Sequence, residues 1–161
     1  MYLAENISLM ALDKIDIELL KQLQTDCKQT NKELSSKLNL SVTAIYERIK
    51  KLERQGIIER YVAIIDGKSI DLGLIVFCLV KLEKHAKVAI THFEKDIANL
   101  NEVLECFHVS GEYDYLLKVV VADMEHFRAF MVNKLTSLQY VGSTQSSFTI
   151  NRVKYTTALT L

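Results

Sequence analysis

The sequence predicts an α+β protein of two small units, a three-helix segment followed by a βαββαβ segment, and three observations carry that prediction. Apolar residues recur at helical spacing through residues 12–55, in three broken pieces. From residue 57 onward, runs rich in Val, Ile and Phe alternate with two further helical stretches. Between the two regimes Gly67 and Gly73 bracket a polar stretch, the strongest linker signal in a chain that has no proline. The boundaries drawn from these signals are 1–56 for the helical unit, 57–73 for a strand and linker, and 74–161 for the mixed unit.

Composition narrows the classes. A chain of 161 residues has room for one ordinary domain or two small ones. With 49% hydrophobic and 25% charged residues it can bury a core, which disordered chains cannot. Lys plus Arg and Asp plus Glu both number 20, so the net charge is zero and any attraction to nucleic acid must come from local placement. Cys27, Cys78 and Cys106 are odd in number and lack a Cys-x-x-Cys pair, so they read as reduced and packed, with no metal site. The first twelve residues have no basic start before an apolar run, and the longest apolar stretches fall short of the ~20 residues of a membrane helix. A cytoplasmic protein without a membrane partner is expected.

In the helical unit, Asp13 caps a first helix with Leu12, Ile15, Leu19 and Leu23 on one face. Thr30-x-x-Glu33 has the form of a capping box and opens a short second helix with Leu34 and Leu38 inward; Asn39 and Leu40 make the turn. Ser41 caps a third, whose Ile45, Ile49 and Leu52 fall at i, i+4 and i+7, and Gly56 stops it. Opposite that stripe lie Thr43, Glu47, Lys50 and Arg54, with Tyr46 and Lys51 on the flanks.

Helix, short helix, tight turn, helix is the helix-turn-helix pattern, in which the last helix enters the major groove of double-stranded DNA. Arg48, Lys50, Lys51 and Arg54 put positive charge along it, diluted by Glu47 and Glu53. The candidate DNA-binding residues are Ser41, Thr43, Tyr46, Glu47, Arg48, Lys50, Lys51 and Arg54, those near the helix start being placed to reach base edges. Two alternatives stay open: a solvated face laced with ion pairs, and for Arg48, about 60° from the apolar stripe, a pair with an acid inside the unit.

In the second unit the expected order is a strand at 57–65 leading into the linker, then a strand at 74–82, a helix with Ile90, Phe93, Ile97 and Leu100, strands at 103–109 and 113–121 around a tight turn at Gly111-Glu112, a helix capped by Asp123 with Phe127, Phe130, Met131 and Leu135, and a strand at about 140–155. β-α-β-β-α-β matches the ferredoxin-like arrangement, two helices covering one face of an antiparallel sheet. Both alternating sets of 116–121 are largely apolar, so the other face should be covered by a second subunit.

Leu40-Ser41, the run Glu47-Arg48-Ile49-Lys50-Lys51-Leu52-Glu53, Gly56-Ile57-Ile58 and Tyr61 resemble the helix-turn-helix signature of the Lrp/AsnC (leucine-responsive, feast/famine) regulators. Past the linker, Val109-Ser110-Gly111-Glu112-Tyr113-Asp114-Tyr115-Leu116-Leu117 resembles the loop and strand of that family's amino-acid-sensing domain. The turn lacks the proline that many relatives carry near residues 40–44. The resemblance implies a DNA-binding transcriptional regulator, homodimers joined through the second units and commonly stacked into octamers, and an amino-acid effector at subunit interfaces. It lifts Gly111, Tyr113, Asp114, Tyr115, Thr144 and Ser146 to candidate effector residues. Asp114 could receive the ammonium, and the backbone at Gly111 with the hydroxyls of Thr144 and Ser146 the carboxylate. The bland alternatives are that Asp114 satisfies local backbone amides and that the polar run 143–147 protects a sheet edge.

No resident cofactor and no catalytic residue is expected: His85, His92, His108 and His126 form no helical zinc motif, and neither a Gly-x-Ser-x-Gly elbow nor a phosphate-cradling glycine loop occurs. One enzymatic rival shares the two-domain layout, the sirohaem decarboxylases, for which His108 would be the strand-borne histidine. The other rival is an oligomeric amino-acid sensor without DNA binding, against which Lys50, Lys51 and Arg54 argue.

Overall fold

The computed structural model describes residues 12–161; the reading of the first residues as something other than a secretory signal falls largely outside them. Three helices open the chain: α1 (Lys14–Thr25), α2 (Asn31–Leu38) and α3 (Val42–Arg54). Each starts where a short polar side chain can satisfy otherwise unpaired amides. Asp13 with Asp16, and Thr30 with Glu33, close capping boxes, and Ser41 Oγ accepts the Ala44 N–H at 3.1 Å. At the far end of α3, Gly56 takes φ +69°, the Gly56 N–H donates to Glu53 O and the Ile57 N–H to Leu52 O, both at 3.0 Å. This is a Schellman stop, and the left-handed backbone there favours glycine. Leu19, Leu20, Leu34, Ile45 and Leu52 form the core, with Ile49 and Leu38 packed against it.

The expected strand at 57–65 does not form. The Ile57 and Ile58 amides bond back to Leu52 O, and residues 59–66 adopt no regular element. Strand propensity needs a ladder partner to become a strand, and none lies beside this segment among the described residues.

The chain divides into two compact units, one comprising the chain up to Ala63 together with Lys154–Leu161, the other Ile64–Val153. The return of the last residues to the first unit was not anticipated. There the Gln24 side chain grips the Leu159 backbone from both sides, donating from Nε2 to its carbonyl at 3.1 Å and accepting its N–H at 2.6 Å.

The second unit opens with a 3-10 turn (Gly67–Ile70) capped by Asp66, then β1 (Leu74–Leu82), α4 (Lys87–Ile97), β2 (Val103–His108), β3 (Tyr115–Val121), α5 (Met124–Asn133), a 3-10 turn (Leu135–Ser137) that holds the last residue expected on α5, and β4 (Val141–Phe148). The strands pair antiparallel in the order β2-β3-β1-β4. β4 stops short of residue 155 because its partner β1 begins at Leu74, and Thr149 makes the last bonds, to Ile75 O.

One face of the sheet is closed. Val76, Cys78, Val80, Leu82, Tyr115, Leu117, Val119 and Val121 are buried in one cluster with Phe93 and Ile97 of α4 and Phe127 and Phe130 of α5. Alternation sends the intervening residues to the other face, where the register aligns Phe107, Leu116 and Leu79 across three strands. Ile75, Phe77 and Val120 share that face. The three cysteines are free, but only Cys78 is packed; Cys27 and Cys106 are exposed. Among the described residues no helix is long and apolar enough to cross a membrane.

Candidate nucleic-acid interface and effector loop

The outer face of α3 is the strongest candidate site. Ile45 and Leu52 are fully buried, which turns Thr43, Tyr46, Glu47, Lys50 and Arg54 to solvent. Lys50 Nζ lies 2.7 Å from Glu53 Oε2 and 5.9 Å from the Tyr46 ring centre, and the Glu53 hydrogen bond raises the Lys50 ammonium above its ordinary value. Tyr61, exposed in sequence beyond the helix, donates from Oη to Glu53 Oε1 at 3.2 Å; burial, then that carboxylate, pushes its phenol up to about 12. Among the described residues Arg54 has no hydrogen-bond or ion-pair partner, so its guanidinium is free to meet an anion.

Two of the expected DNA contacts are engaged inside the unit, Arg48 in the way of the alternative left open for it. Arg48 Nη1 lies 2.6 Å from both Asp13 Oδ2 and Asp16 Oδ1, and Lys51 Nζ lies 3.0 Å from Asp16 Oδ2. Both cations fasten α3 to the start of α1. Asp16 is wholly buried. Burial pushes its carboxyl up, but hydrogen bonds from Lys51 and Arg48 outweigh that, and the net shift is down. Asp13 is lowered too, first by the Asp16 amide and then by Arg48. Ser41 is likewise occupied, its hydroxyl serving as the cap. The missed signal was Asp16, an acid four residues from Leu12 and three from Leu19, on the apolar face of α1.

The effector candidates do not converge on one point of the chain. Gly111 (φ +133°), Tyr113 and Asp114 share the loop between β2 and β3, which runs from Val109 to Asp114 and is closed by the Val109 N–H donating to Asp114 O at 2.8 Å. The loop is wider than the expected tight turn because Asp114 is diverted to β1: its N–H donates to Val80 O at 2.9 Å and its Oδ2 accepts the Leu82 N–H at 2.7 Å. Oδ1 lies 2.9 Å from His85 Nε2, a partner the sequence did not suggest. Tyr113 Oη donates to Gln145 Oε1 at 2.9 Å, on the open side of the sheet beside Leu79.

Tyr115 is a correction. Its ring is buried between Phe93 and His108, with centroids at 4.6 and 4.7 Å, and its hydroxyl donates to Glu94 Oε1 at 2.9 Å. Burial, then the Glu94 contact, raises its pKa. Thr144 and Ser146 sit on β4, one strand beyond β1, with their side chains on the helix side, where Ser146 Oγ lies 3.6 Å from Cys78 Sγ. His108 stands exposed on β2, at a cleft of about 490 Å3 between that strand and α4.

Comparison with known proteins bears on both units. The profile of the Lrp/AsnC ligand binding domain matches residues 75–159, and that of the winged helix-turn-helix DNA-binding domain matches residues 12–59. The chain belongs to the Lrp/AsnC family. It is 38% identical over 148 residues to the DNA-binding transcriptional activator DecR of Escherichia coli, covering 92% of this chain and 97% of that protein. It is 37% identical over 150 residues to the leucine-responsive regulatory protein of the same organism, covering 93% and 92%. Among solved structures, a transcriptional regulator from Neisseria meningitidis in complex with L-Met superposes with a TM-score of 0.89 at 39% identity, covering 93% of this chain and 97% of that one. An AsnC family regulator from Agrobacterium tumefaciens gives 0.87 at 32%, covering 92% and 96%. This Lrp/AsnC member is therefore a DNA-binding transcriptional regulator that pairs a helix-turn-helix with the family's ligand-binding domain.

Proposed function

We propose that this chain is an amino-acid-responsive regulator that lays α3 in the major groove of double-stranded DNA and assembles through the open face of its sheet. Residues 1–56 carry the DNA contacts, 57–73 link, and 74–161 sense and assemble, the returning residues 154–161 adding to the first unit. Thr43, Tyr46 and Glu47 reach base edges, and Lys50 and Arg54 meet phosphates. Ser41, Arg48 and Lys51 support them, Ser41 by capping the helix and the two cations by holding it at a fixed angle to α1. The observation that carries the reading is the division of labour on α3: two cations tied inward, and an outward face that presents Tyr46 with Lys50 and the unpartnered Arg54.

A second copy covers Phe77, Leu79, Phe107 and Leu116 of the open face, since apolar residues aligned over several strands are stable in water only when covered. Four such dimers close into an octamer. The effector is a free amino acid, held at subunit interfaces by Asp114 and the Gly111 backbone. β4 is an edge strand, so Thr144 and Ser146 of one copy can complete the site formed by the loop of another. The relative from Neisseria meningitidis supports that ligand class. The regulator works in the cytoplasm, where its DNA lies.

The test is fluorescence anisotropy of the full chain on duplexes from upstream of its own gene, at several salt concentrations, with and without each amino acid. The expected result is specific binding whose affinity falls steeply with salt and shifts with one class of amino acid. Equal, salt-insensitive affinity for any duplex would remove the DNA-reading role.

A further inference from the structure

Asp114 ends the β1–β3 ladder with nearly all of its polar groups engaged. Its N–H donates to Val80 O, its carbonyl accepts the Val109 N–H, and its Oδ2 accepts the Leu82 N–H at 2.7 Å. The Leu82 amide is available because it points to the β3 side of β1, one step beyond the Val80–Tyr115 pair at which the β1–β3 ladder ends. These three bonds come from backbone on both sides, so the carboxylate keeps its orientation whatever happens at its other oxygen.

That other oxygen is engaged by a different kind of partner. His85 Nε2 lies 2.9 Å from Oδ1, and since a carboxylate only accepts, the imidazole donates. The Asp114 side chain is 16% exposed and that of His85 65%. His85 sits between the end of β1 and the start of α4, on a stretch with no regular structure, and this is its one hydrogen bond among the described residues. A fixed, largely buried carboxylate therefore carries a surface side chain held at a single point.

We infer that His85 is a displaceable stopper on Asp114: the ammonium of the amino-acid effector takes Oδ1 in its place, so this side chain sets how tightly the effector binds. The inference rests on the reading of the loop as the effector site given above. The exchange is chemically matched. An ammonium offers three donors and a full positive charge to an oxygen already aimed by the backbone, and the displaced ring swings into water, where its nitrogens are solvated. The ligand class that benefits is one with a free primary ammonium; a carboxylic acid lacking it has nothing to put in the place of the imidazole.

Isothermal titration of the full chain with each of the twenty protein amino acids, and with the des-amino analogue of the tightest, tests this in wild type, His85→Ala and His85→Gln. In His85→Ala the amino acid should bind about tenfold tighter, the effect of removing one competing hydrogen bond to a charged group, while the des-amino analogue binds as it does to wild type. His85→Gln, whose amide can still donate to Oδ1, should stay near wild type. Unchanged or weaker amino-acid binding in His85→Ala overturns the stopper and leaves the amino-acid reading standing. No binding of any amino acid to wild type or either variant overturns both.

Discussion

The outer face of α3 and the open face of the sheet both expose side chains to water, yet one is finished and the other is not. On α3 the helix is capped, its inward cations are matched to Asp13 and Asp16, and what remains outside, apart from Val42 at its first position, is polar or aromatic with a polar tip. Such a face is stable in water and gains a partner only if that partner is charged and hydrated. On the sheet, Phe77 and Phe107 keep 37% and 50% of their surface exposed beside Leu79 and Leu116, a face that water penalises until something apolar covers it. The lesson is that the two surfaces are suited to partners of opposite physics: a polyanion read reversibly, and another copy held durably.

The sharpest way to break that contrast is to give the sheet face the character of the helix face. Leu79→Glu puts a carboxylate at the β1 end of the Phe107–Leu116–Leu79 row. Covering an unpaired charge costs several kcal/mol, on the order of a 1,000-fold loss in association, so light scattering should show the assembly falling to monomers while each unit stays folded. An assembly of unchanged mass would mean that another surface joins the copies.

A smaller effect is expected from removing the aromatic part of the helix face. Tyr46→Ala should reduce the preference for operator over random duplex by about 10- to 100-fold, the range of one good base contact, with little change in non-specific affinity. Competition binding measures this, and an equal loss on both duplexes would make Tyr46 a backbone contact.

The smallest concerns what holds that face in place. Asp16→Ala leaves Arg48 and Lys51 without their shared partner. Their side chains keep 26% and 32% of their surface in water, so the loss should be about 2 kcal/mol, below the usual cost of breaking a fully buried pair. The pH dependence has a definite sign. The folded-state carboxyls of Asp13 and Asp16 titrate below their ordinary value of 3.8, so their contribution is complete above that value and is lost as pH falls through the lower folded values. The part of the thermal stability that this cluster contributes should therefore be lost in the acid range below about pH 4, and that loss should be smaller in Asp16→Ala.

How much of this was legible in the sequence follows from how local each signal is. Caps at Asp13, Thr30, Ser41 and Asp123 are formed within three residues of the side chain that makes them, and all four appear as read. The ferredoxin-like order was equally legible, since period-two and period-3.6 patterns are properties of single segments. What escaped was long-range pairing. Whether residues 57–65 form a strand depends on a neighbour, not on their own propensity. The direction of Arg48, left open between DNA and an acid inside the unit, depends on Asp16, 32 positions away, and the Asp114 contact on His85, 29 away. The sequence places Tyr115 on the strand at 113–121 beside Asp114, and its burial follows from the sheet phase, which one residue of slip would invert. For the effector region, residues on opposite sides of a sheet looked equivalent as letters.

The claim on which most rests is that Lys50 and Arg54 face DNA phosphates while Arg48 and Lys51 do not. Its most direct test is the salt dependence of operator binding by the Lys50→Ala/Arg54→Ala double variant. Losing two phosphate contacts should lower the slope of log affinity against log salt by about 2, with the mass of the assembly unchanged. A slope equal to that of wild type would contradict the account.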